Sequence, residues 1–153
     1  MWCAVAVLPG KAAGATRKIQ PHRLIPAVSN QKDLKTFMAV VSRDPVYPVS
    51  FYFPLKLPGG AVITGLRYKH AGLLNPAKTK VSIMRVRAAA AEPLQRIISG
   101  SSTSYSPTLV FETVRGQFLP GMTRRIIRGW KYYLLVGCET PLSAVGTVFV
   151  NYR

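Results

Sequence analysis

From residue 46 onward, apolar and polar residues alternate with a period of two in several short runs, the pattern of strands with one buried face. Val49, Phe51, Phe53 and Leu55 alternate with Ser50, Tyr52 and Pro54. Pro54 marks this run as an edge or broken strand, because proline donates no ladder hydrogen bond. Leu57-Pro58-Gly59-Gly60 follows as a turn whose glycines supply positive φ. The run 61–69 is β-branched and ends with Leu66 and Tyr68 on one face and Arg67 and Lys69 on the other. Lys80 to Arg87 alternates again, and further strands read at 109–114, 131–136 and 146–152. Segments of this length, spaced by Gly, Pro, Ser and Asn clusters, predict an all-β chain: a single antiparallel β-sandwich of the jelly-roll kind over residues 46–153. Two stretches differ. Residues 88–92, four alanines and a glutamate before Pro93, predict one helical turn or a strand crossover. Residues 99–106, rich in Ser and Thr around Gly100, predict a mobile loop.

Residues 1–45 read differently, as an extended N-terminal arm. Pro9-Gly10, Gly14, Pro21 and Pro26 interrupt any regular pattern, and 34–41 reads as either a strand or a short helix. Trp2, Val5, Val7, Leu8, Ile19, Leu24 and Ile25 make the arm too apolar for a freely solvated tail, so it is expected to order against a neighbouring subunit. Its first residues lack the basic start of a secretory signal. No apolar run approaches the roughly 20 residues of a membrane helix, so no membrane partner is expected.

Composition narrows the chemistry. The 153 residues carry 21 Lys+Arg against 5 Asp+Glu, a formal net charge of +16, with 48% hydrophobic residues. Enough apolar side chains are present to form a core, so the charge does not imply global disorder. Five acids and two histidines leave little material for acid–base work or metal binding. His22 lies in the Pro-rich arm and His70 ends a strand, with no acid beside either. Gly-x-Ser-x-Gly, Cys-x-x-Cys, His-Glu-x-x-His and Asp-rich calcium loops are all missing, so no catalytic residue, metal or cofactor is expected. Cys3 and Cys138 are two lone thiols, which fit a reducing compartment slightly better than a disulfide scaffold.

The charge remains, and it asks for an anionic partner. Seven cations stand against two acids in residues 1–45, and fourteen against three in 46–153, so the body is basic and not merely its arm. Two groups stand out. Arg67, Lys69, Arg85 and Arg87, extended by Lys78 and Lys80, form one patch if their strands are neighbours. Arg124, Arg125, Arg128 and Lys131 form a second, interleaved with Trp130, Tyr132 and Tyr133. Cations among aromatics suit single-stranded nucleic acid, whose phosphates take the charge and whose bases stack on rings. The alternative is a solvated outer face with the aromatics packed inward.

Four motifs carry a resemblance. They are the entry Leu57-Pro58-Gly59-Gly60-Ala61-Val62-Ile63-Thr64, the strand Val81-Ser82-Ile83-Met84-Arg85, the strand Tyr132-Tyr133-Leu134-Leu135-Val136, and the closing Val148-Phe149-Val150-Asn151-Tyr152. Over about residues 55–153 the chain resembles the small jelly-roll domains of bacteriophage virion proteins, from which it departs in being strongly basic. The resemblance implies a virion structural protein, a decoration protein or small coat protein. Such a protein would form a trimer or other cyclic oligomer, dock on a capsid lattice through its arm and basic face, and touch packaged nucleic acid where that face points inward. The alternative is a non-enzymatic nucleic-acid-binding module. A carbohydrate-binding jelly roll ranks third, because Asn and Gln are scarce and the charge is of the wrong sign.

Overall fold

A computed structural model describes residues 13–87, 89, 93–106, 108 and 110–153. It is a sandwich of two antiparallel sheets. The strands in chain order are β1 (Ala15–Ile19), β2 (Ile25–Pro26), β3 (Asp33–Lys35), β4 (Val40–Ser42), β5 (Val49–Leu55) and β6 (Ile63–Gly72). They continue with β7 (Thr79–Arg87), β8 (Gln95–Ser102), β9 (Glu112–Arg115), β10 (Gln117–Phe118), β11 (Trp130–Cys138) and β12 (Ser143–Tyr152). The first sheet runs β3-β4-β12-β6-β9, and β1 also pairs with β12, beyond the end of β4. The second runs β10-β8-β7-β11-β5-β2. Successive long strands change sheet: β5 to β6, β6 to β7 and β11 to β12.

Period-two alternation decides the faces. Val49, Phe51, Phe53 and Leu55 lie opposite Cys138, Val136, Leu134 and Tyr132, which lie opposite Thr79, Val81, Ile83 and Arg85. The apolar members of these rows are buried, and they meet Leu66, Tyr68, Val148 and Val150 of the other sheet in one core. Pro54 is exposed, beyond the short contact of β2 with Tyr52 and Phe51, so its missing N–H breaks no central ladder. The turn after β5 has Gly60 at φ +81°, and the Ala61 N–H donates to the Pro58 carbonyl at 3.1 Å, as the sequence implies.

The stretch expected to be an arm supplies strands of the chain's own sheets. β1 pairs with β12 over five residues, β2 closes the edge of β5, and β3 with β4 forms a hairpin on β12. Ile19 and Leu24 are about 1% exposed and belong to the main core, not to a companion's surface. The physical reason is that β4 covers only Ala144 and Val145 on that side of β12, so the rest of its edge is open to β1. Ile25 sits on β2 at the opposite sheet's edge, 40% exposed. Trp2, Val5, Val7, Leu8 and Cys3 lie outside the described residues. The run 34–41 is neither one strand nor a helix; it is the turn of the β3–β4 hairpin with its flanks.

A second correction concerns 99–106. Gln95–Ser102 forms β8, laddered to β7 along seven residue pairs. A register shift beside Ile83 and Met84 buries both Ile97 and Ile98, which hides the period-two pattern. Gly100 is used for close approach: an added Cβ would stand 3.2 Å from both the Arg115 carbonyl oxygen and Tyr68 Cε1.

If Ile19 belongs to this core, Ile19→Ala should lower the unfolding free energy by about 2–4 kcal/mol. Urea titration should give the same loss at every protein concentration. A loss that grows on dilution would mean that Ile19 is buried against another subunit.

Candidate functional site

The two sheets place the cations in an order the sequence does not predict. β6 belongs to the first sheet and β7 to the second, so Arg67 and Lys69 do not share a patch with Arg85 and Arg87. Arg67 and Lys69 point outward from the first sheet. Arg67 lies in a transverse row with Lys18, Phe149 and Arg115, on β1, β12, β6 and β9. Its guanidinium sits 4.9 Å from the Phe149 ring centroid, and Lys69 Nζ donates to Thr113 Oγ1 at 2.7 Å. Lys78 lies at the other end of the sandwich in an exposed ion pair with Glu139 at 2.9 Å, and Lys80 lies near it on the outer face of the second sheet. Exposed pairs of this kind contribute little stability.

Arg85 and Arg87 instead join the second sequence group. They share a face of β7 with the buried Val81 and Ile83, continuing past the end of the core to where β11 begins. There Trp130 is paired with Arg87, and the two guanidinium carbons lie 4.4 and 5.2 Å from its ring centroid. Arg85 is 8% exposed; its Nε donates to Gln95 Oε1 at 2.9 Å, and its buried Nη1 has no partner among the described residues. The loop before β11 completes this end. Gly121 and Gly129 turn it at φ +75° and +86°, and backbone bonds from the Ile63 N–H to the Arg124 carbonyl and from the Ile126 N–H to the Ala61 carbonyl tie it to the first sheet. Arg124 lies 3.8 Å from the Phe118 ring centroid, Arg125 Nη1 donates to the Gly60 carbonyl, and Arg128 and Lys131 are exposed. Lys56 and Arg153 belong to the same end, and sequence reasoning missed both. A groove of about 390 Å³ opens beside Trp130.

The described acids sit elsewhere. Asp33 lies opposite Ser42, Asp44 between β4 and β5, Glu112 opposite His70, and Glu139 just after β11; all four are at the end away from Trp130. Among the described residues, no acid lies at the Trp130 end. Aromatic rings flank guanidinium groups there and elsewhere. Arg17 and Arg23 lie 5.8 and 5.5 Å from the Phe53 ring centroid, besides the contacts of Arg67, Arg85, Arg87 and Arg124. Each such contact contributes about 0.5–1 kcal/mol at an exposed site.

The acidic end holds the one buried polar network near a histidine. Tyr68 Oη and His70 Nδ1 both bond Thr79 Oγ1, at 3.1 and 2.7 Å, and His70 Nε2 lies 2.8 Å from the Ser104 carbonyl. A carbonyl only accepts, so Nε2 carries the proton, Nδ1 accepts from Thr79, and Thr79 accepts from Tyr68. Burial pushes the Tyr68 hydroxyl up to about 12. Both histidine nitrogens are thus engaged, and the Ser104 hydroxyl donates to Glu112, not to His70. The arrangement ties the loop 103–111 to the sandwich and gives no activated nucleophile. Cys138, fully buried on β11, donates to the Val40 carbonyl, and burial pushes its thiol up to about 12.

No protein-family model matches this chain, and no curated protein sequence matches it. Solved structures resemble it in fold. A GH26-CBM35 β-(1,4)-mannanase from Podospora anserina superposes at TM-score 0.50 and 8% identity, over 88% of this chain and 27% of its own. A family two carbohydrate esterase from Cellvibrio japonicus gives 0.48 and 9%, over 92% and 35%. The C-terminal CBM6 of a laminarinase from Zobellia galactanivorans gives 0.46 and 12%, over 89% and 98%. This chain therefore spans well under half of either enzyme. At these identities the likeness is one of fold: a β-sandwich of the kind seen in carbohydrate-binding modules. None of the three is a virion protein.

The hydrogen bonds from Ser104 and Ser102 hold the Glu112 carboxyl below its usual range. A carboxylate depressed on folding stabilises above its unfolded pKa and loses that contribution as pH falls through the folded value. The wild-type chain should therefore lose stability faster than Glu112→Gln as pH drops below about 4.5. Denaturant titrations at stepped pH check this, and parallel acid limbs would show that Glu112 contributes nothing.

Proposed function

We propose that this chain is a non-enzymatic binding domain that docks its Trp130 end on a polyanion. The observation that carries the reading is the segregation of charge along the sandwich. Arg85, Arg87, Arg124, Arg125, Arg128 and Lys131 gather at one end, while the four described acids lie at the other. Like charges gathered at one end repel one another, and an anionic polymer relieves that repulsion while it steers association. The rings that flank Arg85 and Arg124 hold them in place without neutralising them. One setting for such a domain is the virion role expected from the sequence, in which this end would meet packaged nucleic acid or an acidic lattice.

Binding of a single-stranded polyanion should weaken with salt, each phosphate contact adding about 0.7 to the slope of log affinity against log salt. Arg128 and Lys131 are exposed on this end. Replacing both with Gln should lower the slope by about 1.4. Arg67→Gln with Lys69→Gln, on the outer face of the first sheet, should lower it less. Fluorescence anisotropy across a salt series measures both. Equal effects of the two pairs would remove the Trp130 end from its special role.

A further inference from the structure

We infer that the groove beside Trp130 takes an unpaired nucleobase, so that the polyanion is a single-stranded nucleic acid. This rests on the reading of the Trp130 end as the polyanion-binding end. The groove, about 390 Å³, lies between the end of β5 and the start of β11. Leu57, Ile126, Trp130 and Tyr133 give it apolar and aromatic walls, and Lys56 and Lys131 are its charged members. Among the described residues, no Asp, Glu, Asn or Gln lines it.

That lining discriminates between ring ligands. A sugar ring presents hydroxyls that need directional partners, and each one buried without a partner costs about 1–3 kcal/mol. A base presents a π-face that any aromatic ring accepts, while the strand that carries it offers phosphates on both sides. Lys56 and Lys131 are placed to take those phosphates where the strand enters and leaves. A duplex has its bases stacked inside and offers the groove no ring.

The test uses the full-length chain carrying Trp2→Phe, which leaves Trp130 as its single tryptophan. The probes are an oligothymidylate, an abasic deoxyribose-phosphate oligomer of equal length and charge, a DNA duplex and heparin. The oligothymidylate should quench Trp130 emission and bind roughly tenfold more tightly than the abasic oligomer. Tyr133→Ala, which trims the groove without removing Trp130 from its core contacts, should erase most of that difference. Equal affinity for the base-bearing and abasic oligomers, with Trp130 emission unchanged, overturns the base pocket but leaves polyanion docking intact. Heparin binding more tightly than oligothymidylate overturns it likewise. If no probe binds at low salt, the polyanion reading falls, and the base pocket with it.

Discussion

β11 is laddered along all nine of its residues to β7 and over seven of them to β5, and this double pairing fixes where the chemistry sits. It sets Tyr132, Leu134, Val136 and Cys138 into the core as one continuous row. The same register leaves Trp130 at the end of the row, where the sandwich opens and β7 has already changed from Val and Ile to Arg. A slip of one residue would send the apolar row to solvent and carry Trp130 away from both arginines. Trp130, Arg85, Arg87 and Lys131 are therefore positioned by the register of the core strands, while Arg124, Arg125 and Arg128 come from the loop before β11.

The charge distribution follows from the connections between strands. Links 56–62 and 119–129 fall at the Trp130 end, while 43–48, 73–78, 103–111 and 139–142 fall at the other. Among the described residues the first set carries no acid, Glu92 of the β7–β8 link lying outside them; the second carries Asp44 and Glu139 and adjoins Glu112. Three of the described carboxylates at the acidic end have internal partners. Asp44 accepts from the Val46 and Tyr47 N–H groups, Glu112 from Ser102 and Ser104, and Glu139 meets Lys78. The basic end contains a groove, an orphaned guanidinium nitrogen and exposed cations.

Much of this was legible in the chain. The period-two runs at 49–55, 61–69, 80–87, 131–136 and 146–152 mark five long strands, and alternation correctly puts Leu66 and Tyr68 inward with Arg67 and Lys69 outward. The signal that separates Arg85 and Arg87 from the supposed patch was also present. They share a parity with Val81 and Ile83, so that face has to be the inner one. What sequence could not give is which strands belong to which sheet, and grouping Arg67 with Arg85 assumed that β6 and β7 are neighbours. β8 was hidden because a bulge breaks its alternation and Gly100 makes room for Tyr68. β1 to β4 were hidden because two- to five-residue strands among prolines carry no period, and only the open edges of β12 and β5 make them strands. The Tyr68–Thr79–His70 chain joins residues across the two sheets and has no sequence signature.

The stacking of arginine on aromatic rings has a consequence for how an anion is met. A carboxylate partner engages the rim of a guanidinium and consumes the donors that a phosphate would use. A ring engages its flat side, so the planar fork keeps its rim and its full positive charge while losing much of its freedom to swing. Arg124, exposed over Phe118, is thus held still but not spent. An incoming strand would find the receptors already aimed, with no internal salt link to break before the first contact forms.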